Sequence, residues 1–270
     1  MKYFQEEVHG CDQSALPHRH LAARRVGHMR APRGDLSPKI TTGYVGMLWC
    51  LRGVYQDETE EEGTYTVRPG EFGVIFPGKT LTMRALEDGT EVRYLIFDGE
   101  SAVQECLSAG LWEGVFRDSA PPFDVLDQIA RRLRSSKPQD LSLAAGSVRD
   151  LLLVSADHAR QAAKDKLIHQ ARRLMHTRYG EEGFGIPRVQ ETLGISRTLL
   201  NVRFKAETDV SPHAYLLNLR VREACGLLAG TERTVADIAQ QCGFADPVYF
   251  SQLIRKRTGC SPRAYRKRSD

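Results

Sequence analysis

The chain has 270 residues, 41% of them hydrophobic and 27% charged, with a formal net charge of +4. This composition excludes global disorder, no apolar run reaches the roughly 18 residues of a bilayer span, and the N-terminal MKYFQEEVHGCDQ lacks the apolar stretch of a secretory signal; a cytoplasmic protein of one large or two ordinary domains is expected. The six cysteines (Cys11, Cys50, Cys106, Cys225, Cys242 and Cys260) include no CxxC pair, so the pattern indicates neither a zinc site nor a disulfide framework.

Residues 1–40 are rich in His, Arg, Gly and Pro without a clear period and read as irregular chain with one short strand at most. The texture changes at YVGMLWCLRG (44–53), a strand closed by Gly, and VYQDETEEEGTYTVRPG reads as a hairpin with an acidic tip at Asp57–Gly63. RPGEFGVIFPG brackets the apolar run Phe72–Phe76 between Pro-Gly turns, and TLTMRALEDGT and EVRYLIFDG read as two strands around an Asp-Gly turn. Short strands separated by turns about every ten residues predict an antiparallel sandwich or small barrel over residues 1–120.

From about Pro121 the spacing becomes helical. Phe123, Leu126, Ile129, Ala130 and Leu133 form one apolar stripe, and Leu141, Ala144, Ala145, Val148, Leu151 and Leu152 a second beyond SSKPQD. Residues 121–163 are therefore read as two helices that pack on the strands and offer a face to a second copy of the chain, making a homodimer the expected state. Leu167, Ile168, Ala171, Leu174, Met175 and Tyr179 then mark an amphipathic helix stopped by Gly180, with the domain boundary near Lys164. Charge divides at the same place: residues 165–270 hold 18 Lys and Arg against 11 Asp and Glu, whereas residues 1–164 hold 20 against 23. An anionic partner is expected for residues 164–270 alone.

That last region contains two parallel passages, one starting at Ile186 and one at Thr234, whose ends TDVSPHAY and TGCSPRAY nearly coincide. In the second, Val235, Ile238 and Ala239 face inward on a short helix, Gly243 suits a tight turn, Asp246 can cap the next helix and Pro247 suits its first turn. This is a helix-turn-helix pattern, whose second helix can lie in a DNA major groove. On that helix Phe250, Leu253 and Ile254 take the core, leaving Val248, Ser251, Gln252 and Arg255 outward; Gln pairs with an adenine edge, Val meets a thymine methyl, and Arg255 and Lys256 suit phosphates. In the first passage Ser196 is the cap, Leu199, Leu200 and Phe204 turn inward, and Arg197, Thr198, Asn201, Val202 and Lys205 turn outward, with Arg203 open between a salt bridge and DNA. The intervening AYLLNLRVREACGLLAG (214–230) is the helix that joins the two units and sets their separation.

At these residues the chain resembles the AraC/XylS family of bacterial transcriptional regulators, over Lys166 to Arg266. The family pattern IAxxCGFxxxxYFSxxxRKxxGxSPxxYR stands here as IAQQCGFADPVYFSQLIRKRTGCSPRAYR. There are departures at two outward positions and one inward: many relatives carry Arg at Gln252 and at Val202, where this chain has its Arg one residue on at Arg203, and Phe at the inward Ile254. Residues 1–163 resemble the sugar-sensing members at GYVGMLWCLRG, RPGEFGVIFPG and YLIFDG. The resemblance implies a cupin-like antiparallel β-barrel, residues 1–120, that binds a small effector, plausibly a sugar. A helical dimerisation region, 121–163, follows, and then an all-α DNA-binding domain, 164–270, with two helix-turn-helix units. Met83 and Tyr94 fall where relatives have effector-contacting aromatics. Trp49 is expected to point inward by alternation with Met47 and Leu51, and Arg30 or Arg33 to clamp an anionic or hydroxylated ligand.

The implied function is transcriptional regulation, activation first, with double-stranded DNA, the effector and RNA polymerase as partners and no membrane or cofactor. The alternative is a metal-dependent cupin enzyme with a helical tail. Such cupins gather two His and a Glu on adjacent strands, whereas residues 44–97 contain no His; His18 and His20 are the only closely spaced pair. No metal site, nucleophile motif or phosphate loop is expected, and the chain is read as a regulator, not an enzyme.

Overall fold

Apolar residues that alternate with polar ones, or run unbroken where both faces are covered, build the strands of the N-terminal half. The computed structural model describes residues 4–9, 20–35, 40–59, 63–78, 80–135, 137–163 and 165–269. Two compact units divide at Lys164/Asp165. The first contains β1 (Phe4–His9), β2 (Ala22–Ala31), β3 (Gly34–Asp35), β4 (Ile40–Thr41), β5 (Val45–Arg52), β6 (Tyr55–Thr59), β7 (Gly63–Val67), β8 (Glu71–Ile75), β9 (Thr80–Ala85), β10 (Thr90–Asp98) and β11 (Gly114–Arg117). One antiparallel sheet runs β1-β2-β10-β5-β8-β11, the other β3-β9-β6-β7 with β4 also on β9. Among the described residues no strand pair joins the two sheets, so the expected barrel is an open two-sheet arrangement.

Three local expectations change. The Asp88-Gly89 turn makes a corner, not a hairpin, because β9 pairs with β6 in one sheet and β10 with β2 and β5 in the other. Asp57 does not sit at the hairpin tip: it pairs with Tyr65 and Met83 on its neighbour strands and is 3% exposed. The stretch expected to be irregular contributes ten-residue β2, paired on both sides. Its polar residues find partners on β10, Arg24 on Asp98 at 2.7 Å and His28 on Glu91 at 2.7 Å, so the strand's apolar alternation is masked by charges that pair across the sheet.

Helices α1 (Ala102–Ala109), α2 (Phe123–Leu133) and α3 (Pro138–Ala162) cover one face of the six-stranded sheet. Val45, Met47, Trp49, Leu95 and Phe97 meet Leu126, Ile129, Leu133, Val148 and Leu151 there. The opposite faces of the strands enclose a second core, with Met29, Leu48, Cys50, Tyr55, Leu81, Met83, Val92 and Tyr94. β5 is buried on both faces from Val45 to Cys50, which is why its sequence reads as an unbroken apolar run.

The second unit consists of α4 (Lys166–Arg178), α5 (Ile186–Leu193), α6 (Arg197–Thr208), α7 (Pro212–Gly230), α8 (Val235–Gln241), α9 (Pro247–Thr258) and α10 (Pro262–Ser269). It has two cores. Ile168, Ala171, Met175, Val189, Leu200 and Phe204 pack with Leu216 and Leu219 of α7; Ile238, Ala239, Phe250, Leu253 and Ile254 pack with Val221, Ala224 and Leu228 of the same helix. α4 ends at Arg178 with Tyr179 as its C-cap, and Gly180 serves clearance: a Cβ there would lie 2.2 Å from the Gln241 carbonyl oxygen.

Candidate nucleic-acid interface

The two halves of the second unit repeat one local design. α5 ends on Gly194 (φ +63°) and the α8–α9 turn on Gly243 (φ +75°), both in the left-handed region that glycine enters at low cost. The next residues, Ile195 and Phe244, send their N–H groups back to Gln190 O (3.1 Å) and Ala239 O (2.9 Å). Ser196 and Asp246 then cap α6 and α9, the first accepting from Leu199 N and the second from Val248 N. Both helices close alike: the Thr208 hydroxyl donates to Phe204 O and Val210 O, that of Thr258 to Ile254 O and Cys260 O. Ser211 and Ser261 cap the helices that follow.

Gly243 is constrained twice. A Cβ would stand 2.4 Å from the Tyr179 carbonyl oxygen and 2.9 Å from an Arg220 nitrogen. Arg220 of α7 is a part of this corner that the sequence pattern does not announce: its Nε donates to Tyr179 O (2.9 Å) and a terminal nitrogen to Phe184 O (2.7 Å). It ties the α4–α5 connection to the second turn. Ala239 is fully buried at the crossing, as its small size requires, while Gln190 at the matching place in α5 is half-buried.

Of the residues expected to face DNA, Arg197, Thr198, Asn201, Val202 and Lys205 are exposed on α6, and Val248, Gln252, Arg255 and Lys256 on α9. Two others are engaged within the unit. Arg203 Nε donates to Asp165 Oδ2 at 2.7 Å, and Asp165 simultaneously caps α4 through Leu167 N and Ile168 N. The Ser251 hydroxyl donates to Pro247 O at 2.9 Å, so its proton is spent inside α9. Leu199, expected inward, is 42% exposed. A further contact, the buried His176 Nε2 and the hydroxyl of the half-buried Tyr215 at 2.8 Å, joins α4 to α7. Burial, helped by the charges of Arg222 and Arg172, holds His176 well below the usual imidazole range.

Of the residues expected at an effector pocket, only Met83 and Tyr94 share a core. Trp49 does alternate with Met47, but their shared face is the helix-covered one: Trp49 stacks on Phe72, meets Phe123 edge-on, and donates from Nε1 to the buried Asp118 (3.3 Å). Met83 and Tyr94 lie between the sheets instead. Arg30 and Arg33 are exposed, with the Arg33 backbone N–H on Asp88 at 2.9 Å. A cavity of about 10 Å³, room for about one water, is lined by Asp57, Tyr65, Gly73 and Glu113. Burial, then the Glu113 charge, pushes the Asp57 acid up to about 7, and its Oδ1 has no hydrogen-bond partner. Among the described residues no group of three or more His, Cys, Asp or Glu could hold a metal; His18 lies outside them. No described helix is long and apolar enough to cross a membrane.

Residues 190–268 match the family described as a helix-turn-helix domain. The chain is similar to the HTH-type transcriptional activator RhaR of Klebsiella pneumoniae, 41% identical over 86 residues, 32% of this chain and 31% of that protein. It is also similar to RhaR of Yersinia pestis, 26% identical over 173 residues, 59% of this chain and 57% of that one. It thus spans less than two thirds of either relative. A solved transcriptional regulator with an AraC-type DNA-binding domain, from Chromobacterium violaceum, is 28% identical with a TM-score of 0.35, covering 38% of this chain and 91% of that one.

Proposed function

We propose that the chain is a sequence-specific DNA-binding transcriptional regulator of the AraC/XylS kind, an activator, controlled by a small molecule; the match of residues 190–268 to the helix-turn-helix domain family supports this reading. The observation that carries this reading is the doubled helix-turn-helix, with equivalent turns, caps and helix ends, in the unit that holds the chain's surplus of Lys and Arg. α6 and α9 are the reading helices. Asn201 and Gln252 reach base edges, Thr198 and Val248 flank them at the helix starts, and Arg197, Lys205, Arg255 and Lys256 contact phosphates. Arg203 joins them only by leaving Asp165.

The effector in this reading is a hydroxyl-rich molecule such as a sugar, entering between the sheets beside Met83 and Tyr94. The acceptors Asp57 and Glu113 on that side support it; Trp49, Arg30 and Arg33 face elsewhere. Leu143 and Leu153, 53% and 61% exposed on α3, support a homodimer through that helix, and RNA polymerase is the partner an activator requires. Control demands that the effector bind one arrangement of the protein better than another.

Two substitutions test the DNA reading. Gln252→Ala should relax preference at one base position, while Lys256→Ala should weaken binding to all sequences and reduce the salt slope by about 1. Identical behaviour of the two variants would refute the division into base and phosphate contacts. A thermal-shift series with sugars tests the effector, and stoichiometric metal in the purified protein would restore the enzyme reading.

A further inference from the structure

Resting on the DNA-binding reading above, we infer that each reading helix recognises thymine through its C5-methyl group, by Val202 in the first unit and Val248 in the second, so that each half-site contains an A·T pair at a fixed place. Both valines are 64% exposed, more than any other large hydrophobic residue described. They stand on helices whose remaining large apolar residues are mostly buried: Leu200 and Phe204 on α6, Phe250, Leu253 and Ile254 on α9. A single exposed apolar side chain needs no explanation. Two of them on the outward faces of two equivalent helices form a pattern.

The register of the helices makes the pattern specific. Val202 is the sixth residue of α6 and Thr198 the second; on α9 the second is Val248 and the sixth Gln252. Residues four apart share a helix face, so positions two and six form one outward strip on each helix. Each strip therefore carries one valine, and an amide lies beside it: Asn201 next to Val202, and Gln252 one turn beyond Val248. The Ser251 hydroxyl, which could have read several bases, donates instead to Pro247 O, leaving the strip on α9 to Val248 and Gln252.

The surroundings identify the occupant. Lys205 borders the valine on α6 at i+3, Arg197 stands at that helix's first position, and Arg255 and Lys256 follow the strip on α9, all exposed. An apolar partner surface would leave these charges opposite nothing. A duplex offers phosphates to the charges and, inside the major groove, thymine C5-methyl as its apolar feature, on the same base pair whose adenine edge suits Asn or Gln. A protein partner docking on the valines is the competing outcome.

Thymine and uracil differ only in that methyl, which makes the test clean. Duplexes bound by the full-length chain are selected from a random library, and each thymine of the selected site is replaced singly by deoxyuridine. Removing one contacted methyl should weaken binding about fourfold, at one or more thymines in each half-site. Val202→Ala should abolish the uracil penalty in one half-site and Val248→Ala in the other, each variant binding the uracil duplex as well as the parent does. Both substitutions lie on exposed helix positions, and unchanged circular dichroism verifies the fold. Sequence-preferring binding without any uracil penalty, or penalties that survive in both alanine variants, would overturn the inference while leaving the DNA-binding reading intact. Failure to bind any duplex in a salt-dependent way would overturn both.

Discussion

Asp57 shows how one side chain can be placed against its own chemistry. The raised acid means that ionisation opposes folding: its contribution is intact below the ordinary carboxylate value of 3.8 and is lost as pH rises through about 7. Asp57→Asn should therefore stabilise the N-terminal unit by about 1–3 kcal/mol at pH 8 and have no effect near pH 3.5, measured by urea unfolding at both values. A gain independent of pH would remove Asp57 as the cause. The glycines offer a second contrast. Gly243→Ala meets both a left-handed φ and the Tyr179 carbonyl oxygen, whereas Gly259→Ala meets only its φ of +78°, with open space around the Cβ. The first should cost about 2–4 kcal/mol and the second about 1 kcal/mol in denaturant unfolding of the C-terminal unit. Gly243 is visible in the sequence as a turn residue, but the carbonyl that restricts it, 64 residues earlier at Tyr179, is not, because that approach is made only when α7 brings Arg220 between them.

At the scale of elements, caps and turns carry the most readable information. Ser196 and Asp246 were each set before an apolar helical stripe, and each caps the helix it precedes. Asp246→Ala should cost about 1 kcal/mol of stability and impair DNA binding through α9 while leaving α6 in place, which base-by-base affinity profiles of the two half-sites would separate. Equal losses at both half-sites would show that the units do not read independently. Most of the helices are legible because they bury a single stripe against their neighbours; α7, which buries opposite faces in two cores, is the exception. The strands are less so. β5 is buried on both faces, β2 conceals its alternation behind Arg24 and His28, and nothing local in an Asp-Gly turn tells a hairpin from a corner between sheets. Trp49 illustrates the same gap: period-two spacing correctly groups it with Met47, but which side of the sheet the helices cover is decided by residues far along the chain.

For the whole molecule, the two compact units carry opposite responses to acid. In the C-terminal unit His176 is held neutral, so its contribution is present above the ordinary value of 6.5 and is lost as pH falls below it, when the unfolded chain takes up the proton. In the N-terminal unit the Asp57 penalty is relieved over part of the same range. Calorimetry between pH 8 and pH 5 should show the transition of the first unit shifting upward relative to that of the second, and Asp57→Asn should remove the first unit's part of that relative shift while leaving the part due to His176; transitions that keep their spacing would refute both assignments. The division near residue 164, the charge imbalance across it and the doubling of the C-terminal unit can be read from the sequence, whereas the sharing of α7's residues between the two cores cannot, since one helix supplies both. That helix, α7, runs 19 residues and is about 28 Å long. It works as a ruler as well as a beam. One inserted residue would swing the second reader about 100° around the axis and advance it about 1.5 Å, out of reach of its groove face, whereas base changes under either reader can be answered one side chain at a time. In the DNA-binding reading proposed above, the spacing of the operator would be fixed by a length that point mutation cannot adjust, while its letters would remain free to drift.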